Sequence, residues 1–258
     1  MRPNSVKRAI AAGKTSFGTM GFEFNTTGIA RIAAEAGAEF LLFDMEHTGW
    51  SVETIRGLLA TSPERIVPLV RVPATEYHFI ARVLDMGALG VMVPMVESAE
   101  QARLIAASAK YPPVGRRGAA FGIAHDGYTG GDIIEKMRTA NAETLLIAQI
   151  ETARGLEQVE EIAAVDGIDV LWVGQFDLSN FLGMPAQFTR PDFTAALDRV
   201  VAACKAHGKT AGIMTLSVDE TRQRLVQGFR CIAYSGDLWI YQQALRDGLK
   251  AIREIGGT

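Results

Sequence analysis

The sequence predicts a single-domain α/β protein, a (β/α)8 TIM barrel that spans residues 1–258. Short apolar runs alternate with amphipathic patterns eight times along the chain, and eight β/α units in about 250 residues is the usual content of this barrel. A doubly wound sheet is the alternative. Because neither a G-x-G-x-x-G fingerprint after the first strand nor a Walker sequence is present, the closed barrel is favoured.

The strands are predicted from their hydrophobicity. Runs such as 66–70 and 90–96 are almost continuously apolar, which is typical of parallel strands buried on both faces. Pro68 and Pro94 weaken two of these runs, since proline donates no hydrogen bond to a ladder. The eight predicted strands are 16–22, 39–44, 66–71, 90–96, 144–150, 168–174, 210–215 and 230–235.

Helix signals occupy the segments between the strands. A helix over 27–36 is expected to end at Gly37, and Ser98 with Gln101 three residues later forms a capping box. Residues 237–256 form the last helix, whose apolar side chains could pack on the barrel or on a neighbouring copy. The interval 110–131 is unusually long, and long ordered loops are often functional.

Composition excludes several classes of protein. The chain has a net charge of −3, 48% hydrophobic residues and 21% charged residues, so neither disorder nor nucleic-acid binding is indicated. Two cysteines are too few for a disulfide framework, and a reducing compartment is the default. No apolar run is long enough for a membrane span, and the N-terminal apolar stretch is too short for a signal peptide. We therefore expect a cytoplasmic protein with no membrane or nucleic-acid partner.

Polar residues collect where the predicted strands end. In a TIM barrel the active site lies at the carboxyl ends of the strands, so these residues should share one rim. They are the segment 44–47 at the end of the second strand, Arg71 at the end of the third, 149–151 at the end of the fifth and 174–177 at the end of the sixth. Thr215 and Ser235 end the last two strands.

Two carboxylates at this rim indicate a metal site. Glu151 and Asp177 end neighbouring strands, and oxygen ligands without a cysteine or a histidine pair suit Mg²⁺, Mn²⁺ or Co²⁺. The alternative is that both carboxylates pair with an arginine such as Arg71 or Arg154.

One histidine is a candidate general base. His47 follows Asp44 and Glu46 at a strand end, although a lone histidine is more often structural. His125, in the interval 110–131, could also reach the site. None of the seven lysines lies at the carboxyl end of a predicted strand, so carbonyl chemistry would use a metal ion rather than a Schiff base.

Five motifs in register carry a family resemblance that covers essentially the whole chain. They are the segments 43–47, 70–73, 93–97, 149–152 and 174–179. The chain resembles the class II, metal-dependent pyruvate aldolases of the 4-hydroxy-2-oxoheptane-1,7-dioate aldolase and citrate lyase beta-chain family. The resemblance implies a carbon–carbon lyase that reversibly cleaves a 4-hydroxy-2-oxo acid to pyruvate, or a close 2-oxo acid, and an aldehyde by way of a metal-stabilised enolate. It also implies a homo-oligomer, a trimer or a hexamer built from trimers with the last helix exchanged, and suggests a part in aromatic-compound catabolism.

The resemblance assigns roles residue by residue. It implies that Glu151 and Asp177 bind the metal ion, with Asp44 and Glu46 holding water beside it. It also implies that the substrate is contacted by Gln149 and by the backbone amides of Gly174, Phe176 and Asp177. The catalytic set comprises His47 as the base, Asp85 as its partner and Arg71 as the residue that stabilises the enolate. Gln175 and Met45 replace the proline and glycine of many relatives, which leaves the aldehyde open.

Two other functions remain open at this point. A CoA-thioester lyase of the citrate lyase beta type would need a basic groove for the CoA tail, and Arg116 with Arg117 is the visible candidate. A non-catalytic protein that binds a 2-oxo acid on a retained barrel is the second. The sequence alone names neither the aldehyde nor the metal ion.

Overall fold

The computed structural model describes residues 1–256 and confirms the predicted fold class. Eight parallel strands pair in sequence order and close into a barrel, with β1 hydrogen-bonded to both β2 and β8. The strands are β1 (Ser16–Gly21), β2 (Phe40–Asp44), β3 (Val67–Arg71), β4 (Gly90–Val93), β5 (Leu145–Ile150), β6 (Val170–Val173), β7 (Thr210–Thr215) and β8 (Cys231–Gly236).

Twelve α-helices of the described residues surround the barrel or cap its ends. They are α1 (Ser5–Ala11), α2 (Ile29–Glu35), α3 (Val52–Thr61), α4 (Tyr77–Asp85), α5 (Ala99–Ala109), α6 (Ile133–Glu143), α7 (Ala153–Glu157), α8 (Val159–Ala163), α9 (Gln175–Phe181), α10 (Pro191–Ala206), α11 (Val218–Gln227) and α12 (Asp237–Gly256). None of the helices within residues 1–256 is both long and apolar enough to cross a membrane.

The core explains why the strands read as continuous apolar runs. Every residue of β2 through β6 is buried, because one face of each strand packs inside the barrel and the other under the helices. Burying one large apolar side chain stabilises a fold by about 1.5–3 kcal/mol, so these strands contribute much of the core energy.

Of the two prolines in the predicted strands, Pro68 lies within an observed strand and Pro94 does not. Pro68 lies within β3, one residue before Leu69, where pairing with β4 begins, and it is tolerated there. β4 was predicted to reach residue 96 but ends at Val93. Pro94 follows and cannot donate to a ladder, and Met95 then adopts a left-handed backbone with φ of 53°.

Helix caps follow the sequence signals. Ser98 Oγ accepts a hydrogen bond from Gln101 N at 3.3 Å, and the Gln101 side chain accepts one from Glu97 N at 2.7 Å. Gly37 has φ of 93°, as the helix-ending glycine requires, although α2 begins two residues later than predicted. The last helix occupies the predicted range.

The long interval 110–131 lies at the amino-end rim of the barrel, opposite the carboxyl ends of the strands. It follows α5, which returns the chain to that rim, and Arg117 N donates a hydrogen bond to Lys110 O at 2.9 Å. Lys110 Nζ in turn donates to Asn141 O and Thr144 O, immediately before β5 begins. The interval therefore lies at the amino-end rim, and it contains one 3₁₀ turn, Ala124–Asp126.

Candidate active site

The turn after β2 is built around a buried carboxylate. Asp44, the last residue of β2, accepts hydrogen bonds from the backbone N–H groups of Glu46 at 3.0 Å and His47 at 3.1 Å. It also accepts one from Arg71 Nε at 2.6 Å across the β2–β3 pair. Asp44 therefore fixes both the 44–47 turn and the neighbouring arginine.

Arg71 is a buried cation held from two sides. Its Nε pairs with Asp44, its Nη1 lies 3.2 Å from Glu46 Oε2, and its guanidinium carbon lies 5.8 Å from the centre of the Phe22 ring. Burial acts to lower the pKa of Arg71, but the hydrogen bond and charge of Asp44, helped by Glu46 and Glu151, raise it overall. Arg71 is therefore a fixed positive charge at the rim.

Glu151 is a buried carboxylate that forms no ion pair within residues 1–256. Its Oε1 accepts a hydrogen bond from Met95 N at 2.7 Å, and its Oε2 accepts one from the Gln149 side-chain amide. Burial is the main cause that raises its pKa to about 7, and the nearby charges of Glu46 and Asp177 add to this rise. The left-handed backbone of Met95 directs its N–H to this carboxylate. The early end of β4 therefore allows Met95 to hold Glu151 in place.

Glu46 is in a similar electrostatic environment. Burial raises its pKa to about 7, Arg71 opposes the rise, and Asp44 and Asp177 reinforce it. Glu46, Glu151 and Asp177 thus form an acidic group at one rim that Arg71 only partly neutralises.

Gly174 allows the strands to approach here. A Cβ at this position would overlap Glu151 Oε2 and lie 2.8 Å from Gln149 Nε2, so a side chain cannot be accommodated without movement. α9 begins at the next residue, and Gly174 offers no side-chain cap to its first turn. Asp177 lies in that first turn, and carboxylates are favourable there because of the helix dipole.

A cavity of about 330 Å³ opens at this rim. Six of the predicted site residues line it, and they are His47, Arg71, Gln149, Gly174, Phe176 and Asp177. Glu151 adjoins it through its hydrogen bond with Gln149. Sequence reasoning missed the rest of the wall, namely Met20, Phe22, Trp172, Val173, Met214 and Trp239, with Gln175 noted only as a departure. Phe22 directly follows the end of β1, so its position at a strand end was the sequence signal for it.

Within one chain, Asp85 and His47 lie at opposite rims of the barrel. Asp85 ends α4 towards the amino-end rim, where Arg117 Nη2 donates to its Oδ1 at 2.5 Å. His47 lies at the other rim with its side chain half exposed, and its Nε2 is 3.8 Å from Glu46 Oε2. The pairing of His47 with Asp85 would therefore need a second copy of the chain.

The expectation that His125 could reach the site is wrong for a single chain. His125 is buried at the opposite rim, with its Nε2 3.3 Å from Tyr111 Oη. The error arises because the interval 110–131 follows α5, a helix that has already returned to the base of the barrel, rather than a strand end.

The oxygen atoms at this site suit a hard cation that keeps some of its coordination positions free for water or substrate. No group of three or more His, Cys, Asp or Glu side chains within residues 1–256 is placed to enclose a metal ion. Within the same residues neither Glu151 nor Asp177 forms an ion pair with Arg71 or Arg154, and Arg71 pairs with Asp44 and Glu46 instead. In the part of the chain that the structure describes, the buried Gln149 Oε1 beside Glu151 has no hydrogen-bond partner. An acidic pair and an unsatisfied acceptor suit a partly hydrated Mg²⁺, Mn²⁺ or Co²⁺.

Fold and site together define a TIM-barrel enzyme with an acidic centre, a fixed arginine and an exposed histidine at the carboxyl rim. The chain belongs to the HpcH/HpaI aldolase/citrate lyase family, whose model matches residues 22–244. The predicted family is thereby confirmed, and the chain is a carbon–carbon lyase of the aldolase type.

Similar proteins carry aldolase names. A hydroxypyruvate/pyruvate aldolase of Roseobacter denitrificans is 35% identical over 91% of this chain and 91% of its own length. A 2-keto-3-deoxy-L-rhamnonate aldolase of Klebsiella pneumoniae is 34% identical over 94% of this chain and 90% of its own. The crystal structure of an HpcH/HpaI aldolase from Desulfitobacterium hafniense superimposes with a TM-score of 0.92 at 33% identity, covering 96% of both chains.

Proposed function

We propose that this aldolase reversibly cleaves a 4-hydroxy-2-oxo acid to pyruvate, or a close 2-oxo acid, and an aldehyde, with a divalent cation held by Glu151 and Asp177. The observation that carries the proposal is the buried Glu151 carboxylate, which forms no ion pair among the described residues and lies near further acidic groups, whose repulsion a cation would relieve. Mg²⁺, Mn²⁺ and Co²⁺ all suit this oxygen donor set.

Each residue has a defined part in the cleavage. The substrate carboxylate binds to Gln149 and to the amides of Gly174, Phe176 and Asp177, at the start of α9. A divalent cation held by Glu151 and Asp177 would supply Lewis acidity to the C2 carbonyl.

His47 and Arg71 handle the proton and the charge. His47, half exposed at the cavity, takes the proton from the C4 hydroxyl. The C3–C4 bond breaks, the aldehyde forms, and the electron pair of that bond shifts towards the C2 oxygen as an enolate. Arg71, already oriented by Asp44, stabilises the developing negative charge, and protonation at C3 yields pyruvate. Asp44 and Glu46 would hold water at the cation site.

Asp85 would act in this scheme across an interface. Because Asp85 and His47 lie at opposite rims of one barrel, we propose that Asp85 supports His47 of another copy in a trimer or hexamer. The last helix is consistent with such an assembly. It exposes Ile240, Leu245 and Leu249, and an apolar cavity of about 600 Å³ separates parts of α12 from β1 and α2. We propose that a neighbouring copy covers this face or exchanges the helix.

Mixing two inactive variants tests the shared site. His47→Ala and Asp85→Asn homo-oligomers should each lose most turnover, whereas subunit-exchanged hybrids should recover part of it, because some sites then contain both intact residues. Hybrids as inactive as their parents, with exchange verified by mass spectrometry, would contradict the shared site.

The metal proposal is tested by binding and by exchange together. Calorimetric titration of chelator-treated protein with Mn²⁺ should show one site per chain, which Glu151→Ala should lose and the exposed helix variant Glu53→Ala should keep. Exchange of pyruvate methyl protons with deuterium should need the added ion, because forming the enolate is half of the reaction. Undiminished exchange or retro-aldol turnover in chelator would refute the proposal.

Within a single chain, the arginine pair that suggested the CoA-lyase alternative lies away from the acidic centre. Arg117 is buried and paired with Asp85 at the amino-end rim, so the 116–117 pair forms no groove beside the acidic centre of its own chain. No observation favours a non-catalytic binder, and pyruvate exchange would separate it from an enzyme. A cytoplasmic location and a part in aromatic-compound catabolism stay predictions.

A further inference from the structure

One oxygen of the Asp85 carboxylate is held by a buried arginine, and the other is left accessible. Arg117 Nε and Nη2 both donate to Asp85 Oδ1, at 3.2 and 2.5 Å. Within residues 1–256 no hydrogen bond is donated to Asp85 Oδ2. The Asp85 side chain is 30% exposed, whereas the Arg117 side chain is 1% exposed. Arg117 therefore fixes the carboxylate from its buried side and leaves one oxygen able to accept a hydrogen bond from outside the chain.

The position of Asp85 in its helix calls for such a cation. Asp85 is the last residue of α4, and a carboxylate is unfavourable at a helix C-terminus because the carbonyl groups there carry partial negative charge. A cation in contact with the carboxylate offsets this repulsion, and among the described residues the one ion pair of Asp85 is with Arg117. Arg117 therefore holds a carboxylate that the end of the helix alone would disfavour.

Arg117 is itself held by contacts on both sides of it in the chain. Its guanidinium carbon lies 4.7 Å from the centre of the Tyr111 ring, which is fully buried. Asn141 fixes the Tyr111 backbone, because its side chain accepts from Tyr111 N at 2.7 Å and donates to Tyr111 O at 3.0 Å. On the other side Gly118 N donates to Tyr77 Oη of α4 at 2.7 Å. These contacts restrict the guanidinium, so Arg117 presents fixed donors to the end of α4.

We propose that Arg117 is a positioning residue for the cleavage, which acts through Asp85 on His47 of the neighbouring copy. This inference rests on the proposed function, in which Asp85 supports His47 across an interface. A histidine that takes up a proton is oriented and stabilised by a carboxylate at its other ring nitrogen, provided that the carboxylate keeps its place. Because Arg117 occupies Oδ1 alone, Oδ2 is the atom that can accept from an imidazole of a second copy.

Two substitutions at position 117 separate charge from packing. Arg117→Met keeps much of the side-chain length without the charge, and Arg117→Lys keeps the charge without the planar set of N–H donors. The rate is measured with Mn²⁺ and pyruvate, using whichever of acetaldehyde, glycolaldehyde and succinic semialdehyde the parent condenses fastest. We expect kcat to fall about tenfold or more in Arg117→Met and less in Arg117→Lys, with KM for pyruvate within about twofold of the parent, because Arg117 does not touch the substrate. Arg224→Lys, at another buried arginine, is the control and should keep both constants within about twofold.

A double variant tests whether Arg117 acts through Asp85. Arg117→Met should slow the parent but have little further effect in an Asp85→Asn background, because the carboxylate that it positions is then gone. The same change also removes a buried charge that Asp85→Asn leaves without its partner. A purely structural role would instead make the two losses multiply, as distant sites do.

Mixed oligomers show whether the two residues act from the same chain. In the proposed arrangement Arg117 and Asp85 belong to one copy and His47 to the next. Hybrids of Arg117→Met with His47→Ala should recover about a quarter of the parent's turnover, because about one interface in four then has all three residues intact. Hybrids of Arg117→Met with Asp85→Asn should stay at the mean of their parents, because no interface then has both residues intact on one chain. Arg117→Lys takes the place of Arg117→Met if the latter does not assemble.

The outcomes separate this inference from the proposed function. An Arg117→Met protein with the parent's kcat, losses that multiply in the double variant, or recovery in the hybrids with Asp85→Asn would each overturn the positioning role and leave the aldolase proposal standing. An Asp85→Asn protein with the parent's kcat would refute the support of His47 by Asp85, and the inference with it. A parent protein that condenses none of these aldehydes with any of the three metal ions would refute the proposed function itself.

Discussion

Asp237 joins the last helix to the active-site wall, and its substitution should be costly. Asp237 Oδ1 accepts hydrogen bonds from Phe22 N at 3.0 Å and Leu238 N at 2.8 Å, while Oδ2 accepts from Glu23 N at 3.1 Å and Phe24 N at 2.8 Å. Hydrogen bonds to a charged group contribute about 1.5–3 kcal/mol each, but a freed loop recovers part of this from water. We therefore expect Asp237→Ala to lower the free energy of unfolding by about 2–4 kcal/mol.

The isosteric variant Asp237→Asn separates the loss of these hydrogen bonds from the loss of side-chain volume. Both carboxylate oxygens accept from backbone N–H groups, so Asp237→Asn places an NH₂ group against a donor whichever way the amide is flipped. Asparagine should therefore destabilise nearly as much as alanine, although it keeps the size of the side chain. At about 2–4 °C per kcal/mol for a chain of this length, each variant should melt roughly 5–15 °C lower.

Scanning calorimetry at fixed scan rate and pH measures the effect. Asp247→Asn is the matched control on the same helix, because its carboxylate accepts one hydrogen bond, from Gln243 Nε2 at 2.9 Å, on the exposed surface. The control should melt within about 1 °C of the parent, as surface substitutions usually do. An Asp237→Asn protein that melts together with this control would refute the reasoning.

Four further predictions concern the site. Gly174→Ala should lower turnover by about a hundredfold while the protein stays folded, since the new Cβ displaces the Glu151 carboxylate; circular dichroism controls for folding. Arg71→Lys should lower kcat by about a hundredfold or more, because an ammonium group cannot reproduce the planar contacts with Asp44 and Glu46; an unchanged kcat would exclude a role in charge stabilisation. Metal affinity should fall about tenfold per pH unit below about 7, where a proton competes for Glu151, and level off above it; calorimetric titrations across this range measure the change. The same raised pKa means that the free energy of unfolding of the metal-free protein should fall as the pH rises from about 4.5 to about 7.

Sequence patterns predicted the barrel because its strands are buried on both faces. Each strand of such a barrel is a short apolar run, and each ends where the chain turns to polar residues at one rim. The predicted strands agree with the observed ones to within three residues at either end, and the largest difference, at β4, comes from Pro94 and the turn at Met95. The same logic placed Arg71, Gln149 and Gly174 at a common cavity.

Features that depend on long-range packing could not be predicted in this way. The sequence shows that 110–131 is long, but its rim depends on the direction of α5, and so the position of His125 was misjudged. Trp239 reaches the cavity because Asp237 binds the loop after β1, a contact between residues over 200 positions apart. No periodicity or spacing contains that information. The roles of Asp85 and of the metal ligands still depend on the family resemblance and on the experiments above.

The closure of the barrel between β1 and β8 has a consequence for how the protein is made. Thr19 Oγ1 of β1 bonds to Tyr234 O of β8, which is 215 residues away in sequence. At about 5–20 residues per second, a ribosome needs some 10–40 s to make the chain between them. Throughout that time β1 has an unsatisfied backbone edge, and the loop that Asp237 binds has no anchor. Nascent chains of this enzyme should therefore depend on holding chaperones, and synonymous codons that slow translation between β1 and β8 should lower its soluble yield.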